Sequence, residues 1–199
     1  KEGKEVAIIA HTITSPTAMK VLNEFTAKYP TAKIYSYELF NDLNRRSAWM
    51  KSTGQRPAEA GSPNVPLIKW NEANVILTLE ADFLGYEGNI AEQTRMYVEN
   101  RNVDKAKNIS RLYSADGTMS STAMNADYRL RIRPDQQLEF VLALINEFKP
   151  NGKASLKDFA AKNGLASAEV KQLVKDLSEN KGKSIVYAGN GLPEAVHIA

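Results

Sequence analysis

The 199-residue sequence predicts an α/β fold, a three-layer α/β/α sandwich around a mostly parallel, Rossmann-like sheet. Two observations lead there. Val6 to Ala10 and Asn74 to Leu79 are short runs that are apolar almost throughout, as in strands buried on both faces. Such runs alternate with segments whose apolar residues recur at helical spacing. An apolar share of 43% suits a globular core.

Taken in order, Val6 to Ala10 is the first strand. Ser15 is placed to cap a helix and Pro16 to begin it, with Ala18, Val21, Leu22 and Phe25 on one stripe as far as Tyr29-Pro30. Lys33 to Tyr37 is the second strand. Residues 38–72 read as irregular, with a short helix over Arg45 to Met50; the Pro- and Gly-rich stretch from Thr53 to Pro66 cannot be one regular element. The third strand is Asn74 to Leu79. A helix opens at Asn89, with Glu92 at capping-box spacing. Leu112 to Ser114 and Tyr128 to Ile132 are the fourth and fifth strands. Pro134 starts a helix striped by Leu138, Val141, Leu142, Ile145 and Phe148. Helices capped by Ser155 and Ser167 follow, the second carrying Val170, Leu173, Val174 and Leu177. Ser184 to Ala188 is the last strand, closing on Gly189-Asn190-Gly191. Residues 1–149 are expected to form the main α/β domain and 150–199 the start of a second unit, cut short in an excised fragment.

Composition narrows the function classes. With no cysteine, a disulfide framework, a thiolate nucleophile and a cysteine-ligated iron–sulfur cluster are excluded within this segment. A net charge of +3, from 26 basic and 23 acidic residues without a basic run, gives no case for nucleic acid. No apolar stretch reaches the roughly 18 residues of a membrane helix.

The candidate site residues lie where strands end. Glu80 and Asp82 follow the third strand and Asp116 the fourth, the edge of an α/β sheet where ligands bind. The acids suit a cation or acid–base work, and Asp116 suits a ribose hydroxyl; all three are equally explained as solvated or turn-closing residues. The turn Thr12 to Pro16 offers backbone N–H groups to an anion but lacks a Gly-rich pattern, so simple capping is the plainer reading. Gly189-Asn190-Gly191 is explained as well by a tight turn as by a phosphate loop. His11 and His197 have no partners at ligand spacing and are expected to be structural, and no metal site is expected.

Four segments carry a resemblance. Trp70 to Leu77 resembles the strand of the molybdopterin oxidoreductase family that leads into its Gly-x-Asn-Pro turn. Asp116 to Asp127 is similar to the family's segment beginning Asp-Pro-Arg, without a gap. Leu130 to Pro134 resembles the stretch opening its next helix, and Ser184 to Leu192 a later strand and turn. Thr14 to Thr17, Tyr29 to Lys33, Tyr35 to Glu38 and Leu79 to Gly85 are similar to one degenerate branch, the iron–sulfur subunit of bacterial alternative complex III.

That branch implies a non-catalytic scaffold domain of a periplasmic electron-transfer subunit in a quinol-oxidising, membrane-associated complex. Iron–sulfur clusters would lie elsewhere in the protein, the partners would be other subunits of the complex, and this segment would hold no cofactor. Glu80, Asp82, Asp116, Thr118 and Arg133 would then be vestigial nucleotide-pocket positions. Glu80 and Asp82 stand where cofactor-binding relatives have Gly and Asn, and Gly117-Thr118 where they have Pro-Arg. The exchange removes a phosphate partner and adds like charge. Tyr35 to Asn44 has no thiol where relatives supply a metal ligand, leaving Ser36 or Asp42 as the possible ligands. The alternative is a domain that retains a molybdenum pterin dinucleotide, with Asp116 and Arg133 as nucleotide contacts; a third reading is a small-ligand module. The segment Arg45 to Leu67 is expected to dock partners, through Trp49, Met50, Val65 and Leu67 within a rim of Arg45, Arg46, Lys51 and Arg56, unless Trp49 folds into the core.

Overall fold

A computed structural model describes residues 6–54, 66–104, 109–150, 152 and 154–199. Two compact units divide the chain after Asn41. The contacts thus draw the boundary there rather than after residue 149, because the last strand joins the sheet of the preceding residues.

In the first unit, strand β1 (Ala7–Ala10) pairs in parallel with β2 (Lys33–Ser36), connected by helix α1 (Pro16–Lys28). The Ser15 side chain accepts from the Ala18 N–H and Pro16 occupies the first turn, as the sequence predicts. The expected burial of β1 on both faces is not observed. Ile9 is 76% exposed and α1 buries no residue, since a single helix has too little surface to cover two strands.

The second unit starts with α2 (Leu43–Thr53), ended by Gly54 in the left-handed conformation. The helix is longer than expected, and most of the anticipated docking loop as far as Thr53 is helical; Arg56 and Val65 fall outside the described residues. Then come β3 (Val75–Leu79), α3 (Ile90–Glu99), β4 (Arg111–Ala115), the short α4 (Ser121–Met124), β5 (Tyr128–Leu130), α5 (Gln137–Phe148), α6 (Leu156–Lys162), α7 (Ser167–Glu179), β6 (Ser184–Ala188) and α8 (Glu194–Ile198). Ser155 caps α6 as expected. The cap of α7 is Ala166, which has no side-chain acceptor, and Ser167 is already its first helical residue.

The four strands form one parallel sheet in the order β5-β4-β3-β6. β3 is central and buried along its whole length, and its side chains alternate between the two faces. Val75, Leu77 and Leu79 enter a core with Phe140, Leu144, Phe159 and Leu173 from α5, α6 and α7. Ile76 enters the opposite core with Trp70, Phe83, Met96 and Tyr97, where Trp70 stacks on Phe83 at 4.0 Å between ring centroids. Apolar material on both faces makes this a three-layer α/β sandwich. No helix among the described residues is long and apolar enough to cross a membrane.

Candidate functional site

From β3 the chain steps outward to β4 and β5, then returns to place β6 on the other side of β3. Strand order reverses between β3 and β6, and ligands of open α/β sheets bind beyond the carboxyl ends at such a point. Two loops meet there, the one after Leu79 and the turn Gly189-Asn190-Gly191.

At that point the two loops lie against each other. The Gly189 N–H donates to the Leu79 carbonyl at 2.8 Å. An ideal Cβ on Gly189 would lie 1.9 Å from the Glu80 carbonyl oxygen. Glycine at 189 therefore serves close approach of two backbones. Over this contact lies Glu87, 1% exposed, whose carboxylate accepts from the Asn190 N–H at 3.2 Å. Burial pushes the Glu87 pKa up, against the Asn190 N–H and the Arg45 guanidinium, which pull it down. Arg45, from α2, donates to the Tyr187 hydroxyl.

The structure brings Glu80, Asp82 and Asp116 together at the carboxyl edge of β3 and β4. Glu80 has φ of 46°, the one non-glycine residue with positive φ among those described. That conformation is strained for a side chain and natural for glycine. It aims the carboxylate across to β4, where it accepts from the Gly117 N–H at 2.6 Å. Burial raises the Glu80 pKa and the Asp116 charge adds to this, while the Gly117 N–H and Arg129 oppose it. Asp82 is buried and accepts from the Thr122 N–H at 2.8 Å and the Thr122 hydroxyl at 2.9 Å, satisfying the start of α4. Asp116 is 1% exposed; one oxygen accepts from Arg129 Nε at 3.1 Å and the other from the Ser114 and Ser120 hydroxyls, each at 3.1 Å.

Thr118 is exposed, and its carbonyl accepts from Arg129 at 3.1 Å. Arg133 is exposed and forks onto Asp135 at 3.0 and 2.9 Å, so it is not drawn into the acidic group. Arg129, like Glu87, is a residue that sequence reasoning missed. Its alternate position in β5 beside Asp116 was the available signal, and it became visible only once β4 and β5 were paired in register.

The remaining candidates are also engaged or isolated. In the first unit, the Thr12 N–H of the candidate anion turn donates to Glu38 at 2.5 Å, and Ser36 is exposed at the end of β2. His11 is exposed, 3.6 Å from Glu38. Asp42 pairs with Arg46 at 2.7 Å and with Arg45 at 3.5 Å. Lys51 pairs with Glu194 at 2.6 Å, so three cations of the expected docking rim are already partnered. Trp49 is half-buried in α2, and Leu67 is exposed. Among the described residues no group of three or more His, Cys, Asp or Glu could hold a metal ion. No protein-family model and no curated protein matches the chain.

Proposed function

We propose that this chain is a non-catalytic scaffold, the molybdopterin-oxidoreductase-like domain of a periplasmic iron–sulfur electron-transfer subunit in a quinol-oxidising respiratory complex. The observation carrying the proposal is the internal use of the ligand edge. Glu80, Asp82 and Asp116 spend their carboxylates on Gly117, Thr122, Arg129, Ser114 and Ser120. A phosphate-bearing cofactor needs free donors and positive potential there; this edge presents carboxylates that already occupy the nearby donors. A pterin dinucleotide therefore does not fit these residues, and no catalytic step is assigned to them.

The backbone at Glu80 lends support of a second kind. A glutamate held at positive φ occupies a place suited to glycine, the residue that the resembling cofactor-binding proteins have there. Such a domain contributes shape: a rigid parallel sheet with two cores, on which the electron-carrying part and neighbouring subunits are held. The test is elemental and pterin analysis of the protein isolated from native membranes with its partners. Iron without molybdenum, tungsten or oxidised-pterin fluorescence is expected. Stoichiometric molybdenum or tungsten with pterin overturns the scaffold reading, and isolation without any iron-bearing partner overturns its placement in an electron-transfer complex.

A further inference from the structure

We propose that His197 is an acid-sensitive pin: uncharged, it lets α8 lie against α2 beside Arg45, and once protonated it drives α8 away from that place. The two helices bracket the second unit, α2 at its start and α8 at its end, and they pack on each other. Polar contacts fasten the pair around the histidine. The Asn44 side chain donates to the Leu192 carbonyl at 3.0 Å, and Glu194 accepts from Ser47 and from Lys51.

Within this clamp His197 is half-buried and its Nε2 has no hydrogen-bond partner. Arg45 lines the same cleft as the His197 ring, and its guanidinium charge disfavours a second positive charge there. Arg45 cannot move aside cheaply, because it bonds the Tyr187 hydroxyl and lies over the Tyr187 ring, 5.5 Å from the centroid. Adding a proton to His197 therefore places two cations together in a setting that screens them poorly.

The other charged groups on the packed elements do not cancel this. On α2, Asp42 is shared by Arg45 and Arg46, and Lys51 is held by Glu194 of α8. Glu87, before α3, faces Arg45 and the Asn190 N–H; Glu92 of α3 lines the same cleft as His197 but is capped onto Asn89. From α5 the cleft receives Val141, Leu144, Ile145 and Phe148, while Glu139 pairs with Lys162 and Glu147 is exposed.

The sign follows by linkage. Burial and Arg45 hold the His197 pKa below the ordinary 6.5, opposed by the backbone of Leu192 and Gly189. The closed arrangement is then fully stable above 6.5 and loses stability as pH falls from there towards the lowered value. The closed-to-open ratio drops by up to about tenfold per pH unit in that window. Glu87 has the opposite sign, since its raised pKa favours the closed form in acid. A Glu87→Gln background removes that contribution.

The experiment is an NMR and amide-exchange titration of the whole chain between pH 8 and pH 5. Two histidines make the ring signals assignable. His197 is expected to titrate below the ordinary 6.5, and protection of the α8 amides to fall with pH while that of β3 holds. In His197→Gln combined with Glu87→Gln, α8 protection should be flat across the window. A His197 pKa at or above the ordinary 6.5 overturns the proposal whether or not the variant folds. So does α8 protection unchanged in the Glu87→Gln chain, or a fall that persists when His197→Gln is added to it.

Discussion

Replacing Gly189 by alanine tests the backbone contact between the loops after β3 and β6. The new Cβ would meet the Glu80 carbonyl oxygen at 1.9 Å and its carbonyl carbon at 2.6 Å. Both are main-chain atoms, so no side chain can swing aside, and the end of β6 must separate from the end of β3. Overpacking of this kind costs about 1–3 kcal/mol. Separation also strains the Gly189 N–H bond to Leu79, worth about 1 kcal/mol. Gly189→Ala should therefore destabilise by about 3 kcal/mol. At roughly 2–4 °C per kcal/mol for a chain of this size, the melting midpoint falls by roughly 6–12 °C. Gly191, in the same turn, has nothing within 4 Å of its ideal Cβ, and Gly191→Ala should stay within about 0.5 kcal/mol of the parent. Urea unfolding with an unchanged slope separates the two outcomes. If Gly189→Ala matches Gly191→Ala, the close-approach account of this turn is wrong.

Further substitutions probe the acids and the pH response. Glu80→Gly should be more stable than Glu80→Ala by about 1 kcal/mol, because both lose the bond to Gly117 and glycine alone relieves the positive φ; equal denaturation midpoints would contradict the strain. Asp82→Ala should cost about 1–3 kcal/mol by orphaning the Thr122 N–H and hydroxyl, with Asp82→Asn closer to the parent, as read by thermal unfolding. Burial works to raise the Asp176 pKa, but hydrogen bonds from Tyr113, Arg111 and Gln172 together hold it below the ordinary 3.8. A lowered carboxylate stabilises the fold above 3.8 and stops doing so as pH falls through its folded value, so stability should decline below about pH 4 and decline less in Asp176→Asn. An acid limb of equal size in both proteins would assign the loss to other carboxylates.

The central strand was the most legible part of the sequence. β3 announces itself as an apolar run, and the edge strand β6 has the predicted limits, Ser184 to Ala188. The caps at Ser15 and Asn89 were legible because their partners lie three residues away. α2 was only partly visible, since its contacts are polar and reach Leu192 and Glu194, far along the chain. Distance along the chain also hid Glu87, whose carboxylate meets Asn190, whereas Arg129 was hidden by the pairing of β5 with β4. Glu80, Asp82 and Asp116 were found by position, yet spacing could not reveal whether their oxygens were free. β1 misled because apolarity records a demand for cover, whereas exposure depends on what is packed against it.

The all-parallel order of the sheet also bears on how the unit is made. β3 and β4 can meet as soon as the α3 crossover is synthesised, whereas Val75 must wait for Ser184 before its other edge is paired. Tyr187, which closes the Trp70 and Phe83 cluster, arrives with that last strand. During synthesis the central strand therefore spends most of its time as an open edge, the arrangement most prone to wrong pairing. Closure of so distant a contact should limit the folding rate, leaving the nascent unit dependent on chaperone protection until β6 emerges.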